Sequence, residues 1–432
     1  MKKVFLLVLI LYSVLHLGYS ILWYNPVTHP TVSGDFKVTF DGTLHWRETG
    51  SYRETGLTSG GVYYPPLFYT LLLPLTFLDF RAVAYSLYLL QFLLFPLAIG
   101  WMVQASWKGN PVPPVAYLIA AVLTVNFQPF LETLAQHKVE GIELFLICLA
   151  IFLFQKGRDF WVGAVLSLAT ALKYLPGMLF FYFLLRREVG VLRGFFVGAI
   201  ALGGMLLAVL GPQTAWDYLV MHPIELSLGT HLASNKVEGH MERANLSGMV
   251  YRWFATPTPP NNFGYALSIG LFEVSHPSLA YALVNLLKVL LMGLYLAFIL
   301  RRKRPGPSHR TEASELFLME VSLTLLMIFV VAEGIKTHYG ILLLPAFVFV
   351  GLILAEKWGF FHWTEKALFL AAYGLSAMLV PGGLLNLLPP HPLWGRQHAS
   401  IYLFLSLPFY GYLLLGGCIF LCTRRLMRIS PR

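Results

Sequence analysis

The sequence predicts an all-α polytopic membrane protein, a bundle of about 12 transmembrane helices with two long extracytoplasmic loops. Three observations carry this expectation. Of 432 residues, 57% are hydrophobic and 12% charged, with a mean hydropathy of +0.66, whereas a soluble domain carries about 25% charged residues. Apolar runs of the ~18–22 residues needed to cross a bilayer as helix recur from end to end. Backbone groups in lipid must bond within their own segment, so such runs are helices rather than open strands. Lastly, most of the 31 lysines and arginines gather in short polar segments between the runs.

Residues 1–432 therefore read as a single integral membrane domain. Met1-Lys2-Lys3, followed by an apolar run to about Leu22, imitates a secretory signal. The run is long for one and no small-residue cleavage motif follows, so a retained span over 4–22 is expected, starting in the cytoplasm. Residues 23–80 form the first outer loop. Within it Pro65–Leu78 has an apolar part too short to cross, opened by Tyr63-Tyr64-Pro65-Pro66, and is expected to lie along the membrane surface. Spans follow at 81–104, 113–130 and 141–155. Two short ones come next, 160–173 and 174–186, tilted or broken around Lys173 and Pro176, and then 192–211. After a second outer loop, 212–276, come 277–300, 314–332, 340–355, 367–387 and 400–421. Twelve spans with both ends inside put every basic cluster on the cytoplasmic side: Met1–Lys3, Lys108, Lys156–Asp159, Arg186–Arg193, Arg301–Thr311, Glu356–Lys366 and Thr423–Arg432. The positive-inside rule asks for that asymmetry.

The net charge of +10 follows mostly from this topology. No basic face, zinc spacing or RNA-binding signature accompanies it, so nucleic acid is not an expected partner. Cys148, Cys418 and Cys422 all fall in apolar spans and read as small buried hydrophobes. Thirteen histidines include no H-E-x-x-H pair, and neither Walker, dinucleotide-binding, G-x-S-x-G nor D-x-D patterns occur. The sequence calls for no cofactor and no metal. Lys-Val-Glu-Gly occurs at 138–141 and again at 236–239 without flanking similarity, and is read as coincidence.

Charges within spans or at their ends are the best pointers to chemistry, because lipid penalises each by about 2.5–3.5 kcal/mol at mid-bilayer. On the expected topology several converge on the outer face: Asp35 and Asp41, Lys138 and Glu140, Lys173, then Lys236, Glu238, Arg243 and Asn245, and finally Glu333, Lys336 and His338. A single lysine there is equally well explained by snorkelling to the headgroups; the set on one face favours a site. Asp35, in Ser33-Gly34-Asp35-Phe36, can take a proton from an acceptor hydroxyl. Asp41-Gly42 competes with it but is also an ordinary turn dipeptide. Lys138, Lys173 and Lys336 can hold a phosphate as point charges, with Arg243 or Arg252 adding a planar fork. His338 can give a hydrogen bond to a phosphate or a hydroxyl. The aromatic content of 15% suits a binding groove and an interfacial belt alike.

With these residues placed, the chain resembles glycosyltransferase family 87, whose members use polyprenyl-phosphate sugars on a GT-C fold. The likeness rests on Gly34-Asp35-Phe36, on Tyr64-Pro65-Pro66-Leu67 with Leu73-Pro74-Leu75, and on Ala171-Leu172-Lys173-Tyr174-Leu175-Pro176. Asn245-Leu246-Ser247-Gly248 and Thr337-His338-Tyr339 before Leu344-Pro345 complete it. The resemblance implies a GT-C-type bundle and transfer of a hexose, mannose above all, from a polyprenyl-phosphate carrier to a lipid-linked or envelope glycan acceptor. It implies Asp35 as the base, His338 as a donor-site residue and Lys173 near the carrier phosphate, with Tyr64 in one of the shared motifs. One departure stands out. Where family members often show Gly-Gln-Val before the fourth span, this chain has Gln136-His137-Lys138-Val139-Glu140. Two other readings remain open at this point: a flippase or transporter of lipid-linked saccharides, and a glycan polymerase or ligase using a polyprenyl-diphosphate donor. Half-to-half similarity, which would favour a transporter, is not evident. The absence of organelle signals points to a multi-pass bacterial inner-membrane protein with an extracytoplasmic site.

Overall fold

The computed structural model describes residues 10–18, 34–50, 65–107, 111–216, 246–254, 277–301, 314–332, 337–377 and 407–429, and among these every regular element is a helix. Five helices are long and apolar enough to cross a membrane: Phe80–Ser106, Val189–Leu210, Ala282–Leu300, His338–Glu356 and Leu407–Arg428. They overlap five of the twelve expected spans. The span expected over 113–130 is a bent pair, Pro114–Val125 and Gln128–Leu134, broken by 70°. Those expected over 4–22 and 367–387 are described only in part.

The chain divides into two compact units, Met1–Val125 with Phe130–Ala233, and Asn126–Pro129 with Ser234–Arg432. In the first, α1 (Gly34–Thr49) and α2 (Pro66–Leu72) precede a 3-10 turn, Leu73–Phe77. Pro66 opens α2, where a missing N–H costs nothing, and Leu67, Tyr69 and Leu72 are at most 2% exposed. One face of the apolar segment expected to lie along the membrane surface packs against α1 and two later helices, while Leu71, Phe77 and Leu78 stay exposed. Next comes α3 (Phe80–Ser106), whose N-cap Asp79 accepts a hydrogen bond from Arg81 N at 2.8 Å. The bent pair forms α4 (Pro114–Val125) and α5 (Gln128–Ala135).

Four helices complete this unit's core: α6 (Glu140–Gln155), α7 (Asp159–Leu172), α8 (Gly177–Leu185) and α9 (Val189–Leu210). The α7–α8 break falls where the sequence placed it: Lys173 is extended at φ −162°, and Pro176 starts the next helix. The closest packing joins α7 to α9. A Cβ added to Gly163 would lie 1.9 Å from the carbonyl oxygen of Val191, and one on Gly194 would lie 1.8 Å from that of Phe160. Gly190, Gly194 and Gly198 recur every four residues, so one face of α9 is a strip of bare backbone. A short α10 (Pro212–Trp216) follows.

The second unit contains α11 (Leu246–Phe254), α12 (Pro277–Leu300) and α13 (Ser314–Val331). A 3-10 segment, Thr337–Leu343, then runs into α14 (Leu344–Glu356). That span is apolar all round and 89% buried, as befits a helix at the centre of its unit. The last two helices, α15 (Trp363–Ala377) and α16 (Leu407–Ile429), are antiparallel: Gly411 meets Ser376 and Ala372, while Arg425 pairs with Glu365 at 2.8 Å. A second ion pair, Lys357 with Glu315 at 2.7 Å, ties the end of α14 to the start of α13.

Candidate active site

The first unit gathers titratable side chains where the chain enters α1, α3 and α6 and leaves α7. Phe36 and Phe40, four apart on α1, are 2% and 4% exposed and set their rings 5.8 and 5.4 Å from that of Phe80. This apolar contact fixes the first turn of α1 against the start of α3. Asp35 is the second residue of that turn, where the unbonded N–H groups of a helix start favour a carboxylate. Asp41 lies further along α1, ion-paired with Lys37 and half exposed.

Phe36 leads to the next element. Its ring lies 6.4 Å from the imidazole of His137, which also has Tyr88 of α3 at 5.6 Å. His137 sits in the turn that ends α5: Lys138 N–H bonds the Thr133 carbonyl at 3.2 Å, and His137 N–H bonds that of Leu134 at 3.3 Å. These two bonds form a Schellman turn with His137 at its left-handed position, φ +52°, a place glycine usually fills. This chain holds a histidine instead, 1% exposed, and neither ring nitrogen has a hydrogen-bond partner among the described residues. Burial pushes its imidazole down to about 4, so the ring is neutral at physiological pH.

Lys138 follows, 3% exposed, its carbonyl accepting from Gln91 Nε2 at 2.8 Å. Two residues further, α6 begins, bringing Glu140 and Glu143 onto one face. Lys173, at the break between α7 and α8, reaches Glu140 Oε1 at 2.6 Å, and the side chains are 9% and 0% exposed. Glu143 is fully buried as well, and neither of its oxygens has a hydrogen-bond partner among the described residues. The arrangement holds two carboxylates and a lysine out of water, next to a second buried lysine.

Of the residues singled out by sequence, the structure brings the Asp35-bearing turn, Lys138 and Lys173 into this one region of the first unit. His338 belongs to the other unit. There it lies in the 3-10 segment, 3% exposed and stacked on Tyr339 at 4.5 Å. Tyr64, Arg243, Asn245 and Lys336 lie outside the described residues. The sequence reading passed over His137 and Glu143. A carboxylate inside an apolar span is itself a signal and would have found Glu143. Nothing in His137 alone marks it, because its interest comes from a backbone angle. Among the described residues no three His, Cys, Asp or Glu side chains are grouped to hold a metal ion.

Comparison with known proteins adds the reaction class. The family described as glycosyltransferase family 87 matches residues 63–328, more than half of the chain. The matched stretch takes in Lys138 and Lys173; it begins after Asp35 and ends before His338. No curated protein matches the chain.

Proposed function

The chain belongs to glycosyltransferase family 87 and is a glycosyltransferase, and on that premise we propose an inverting enzyme that moves a hexose, mannose first among them, from a polyprenyl-phosphate carrier to a lipid-linked or envelope glycan. Asp35 accepts the proton of the acceptor hydroxyl. The oxygen so activated attacks the anomeric carbon as the bond from that carbon to the phosphate oxygen breaks. The electron pair leaves with the prenyl phosphate, and one displacement inverts the anomeric configuration. Positive side chains stabilise the negative charge that grows on the leaving group, a task given to Lys138, Lys173 and Lys336, with Arg243, Asn245 and Tyr64 on the substrates. His338 gives a hydrogen bond to the donor. The observation that carries this reading is the family match over a stretch containing both buried lysines.

A lysine already paired with Glu140 at 2.6 Å can still serve the phosphate. Its ammonium has three donors, and the carboxylate holds it in place between turnovers. The chemistry belongs on the extracytoplasmic side of a multi-pass cell-membrane protein with twelve spans, its outer loops over 23–80 and 212–276.

The reading is tested with purified protein, synthetic prenyl-phosphate mannose and extracted membrane lipids. Release of prenyl phosphate together with a lengthened glycan of inverted anomeric configuration is expected. D35N should lose at least ~100-fold in turnover, the lower end of what a general base supplies, while D41N stays near wild type. Passage of an intact lipid-linked sugar across liposomes without bond cleavage would overturn it in favour of transport.

A further inference from the structure

We propose that His137 is a hydroxyl-binding residue of the sugar site, a determinant of which sugar is transferred; this rests on the glycosyltransferase reading above. Two independent features single it out. Its backbone holds φ +52°, a conformation that costs a β-substituted residue about 1 kcal/mol or more and that glycine adopts freely. Its side chain is then buried to 1% exposure with both ring nitrogens lacking a hydrogen-bond partner among the described residues. A second residue in the same kind of turn shows the contrast. Arg187, at φ +50°, ends α8 with Glu188 N–H bonded to Phe183 O at 3.0 Å and its own N–H to Leu184 O at 2.9 Å, but its side chain is exposed. There the strained position leaves no buried polar group to satisfy. At His137 both costs fall on one residue, and such coincidences gather at functional sites.

The chemistry of the ring selects the ligand. A neutral imidazole has one N–H donor and one bare acceptor nitrogen. A phosphate oxygen only accepts and an ammonium only donates, so either would leave one nitrogen unmet. Two hydroxyls of one sugar meet both, one accepting from the N–H and the other donating to the bare nitrogen. The location agrees, since the ring meets Phe36, one residue after Asp35, and is bonded in sequence to Lys138. Phe36 and Tyr88 cover the imidazole, and the first of these is carried by the segment that bears the base. A hydroxyl reaching the ring past Phe36 therefore arrives at the turn of α1 that carries Asp35.

The test is a coupling experiment on the full chain in nanodiscs, with prenyl-phosphate mannose, its monodeoxy analogues and extracted lipids as acceptor. H137F keeps a ring and removes the two nitrogens. It should melt at or above the wild-type temperature and yet lose at least tenfold in kcat/KM. One monodeoxy donor should lose about tenfold with wild type and little more with H137F, since the partner atom is already gone. H137G, which adopts the left-handed backbone freely and carries no side-chain polar atom, carries the same cycle if H137F does not fold. Full activity of a folded variant, or equal deoxy penalties in wild type and variant for every analogue, overturns the proposal. Should wild type itself turn over no prenyl-phosphate sugar, the glycosyltransfer reading falls and takes this one with it. That outcome differs visibly from an active wild type with an indifferent His137.

Discussion

Lys173 and Glu140 set the energetic tone of the buried cluster at the scale of single residues. Charges out of water repay their desolvation only when well paired, and removing one partner leaves the other exposed to the full penalty, about 3–5 kcal/mol. K173M should therefore melt far below wild type, while K173M/E140Q, with no lone charge left in the pair, should recover most of that loss. Neither should transfer sugar, which separates the lysine's part in folding from its part in chemistry; a K173M protein as stable as wild type would contradict the buried pair. His137 gives a pH dependence whose sign follows from its folded value. Its imidazole is held down at about 4, below the ordinary 6.5. As pH falls from about 6.5, the unfolded chain takes up a proton here that the folded chain refuses, so stability declines by up to about 1.4 kcal/mol per pH unit. The decline ends near pH 4, where both states are protonated. Melting curves of wild type and H137F should diverge only in that window, with wild type losing more. Lys138, Lys173 and Asp35 were legible as candidates because charge in an apolar sequence is conspicuous. His137 was not, since its distinction lies in φ and in unmet nitrogens, neither of which is written in residue type.

Helices pack here according to how much backbone they can bare. Gly194 and Gly163 stand where any Cβ would strike a carbonyl at under 2 Å, the close approach that small residues permit between membrane helices. G194L or G163L should drive α7 from α9 and abolish accumulation of folded protein in membranes. G203A and G204A, on the same α9 with nothing within 4 Å of the added atom, should be tolerated or gain a few tenths of a kcal/mol each, since alanine is the better helix former. Loss of protein with G203A as severe as with G194L would show that glycine serves α9 for a reason other than packing. Elements of this kind were largely readable in advance. The run of apolar residues from Phe80 and the one ending at Leu210 were bounded to within a few residues, and Pro176 marked the break after Lys173. What periodicity leaves open is the fate of short apolar segments. Pro66–Leu72 is too brief to span, and hydropathy does not say whether such a piece meets lipid or protein. Leu67, Tyr69 and Leu72 are buried while Leu71, Phe77 and Leu78 stay exposed, so one face of the segment meets protein and the other is open. The 70° bend between Val125 and Gln128 was equally invisible in a run read as one span.

Membrane orientation, a property of the whole molecule, turns on a question that helix lengths leave open. At 1.5 Å per residue, α7 and α8 are about 21 and 14 Å long, each short of the ~30 Å hydrocarbon core. They could form one broken crossing or a hairpin that enters and returns. The flanking charge argues for the hairpin: Lys156 and Arg158 precede α7, Arg186 and Arg187 follow α8, and basic segments stay in the cytoplasm. A single broken crossing would put one of these pairs outside. The hairpin instead sends the Lys173 break toward the outer leaflet and makes the number of crossings between residues 59 and 234 even. Those two positions then face the same side. Thiol labelling can read this on the native background, because Cys148, Cys418 and Cys422 are no more than 2% exposed and should stay silent. In intact cells a membrane-impermeant maleimide should label S59C and S234C but reach S308C, within the basic segment after α12, only once the membrane is opened. If S234C instead stayed silent until the membrane was opened while S308C labelled in intact cells, α7 and α8 would be one crossing, Lys173 would lie at membrane depth, and its proposed place near a carrier phosphate at the headgroup plane would have to be given up.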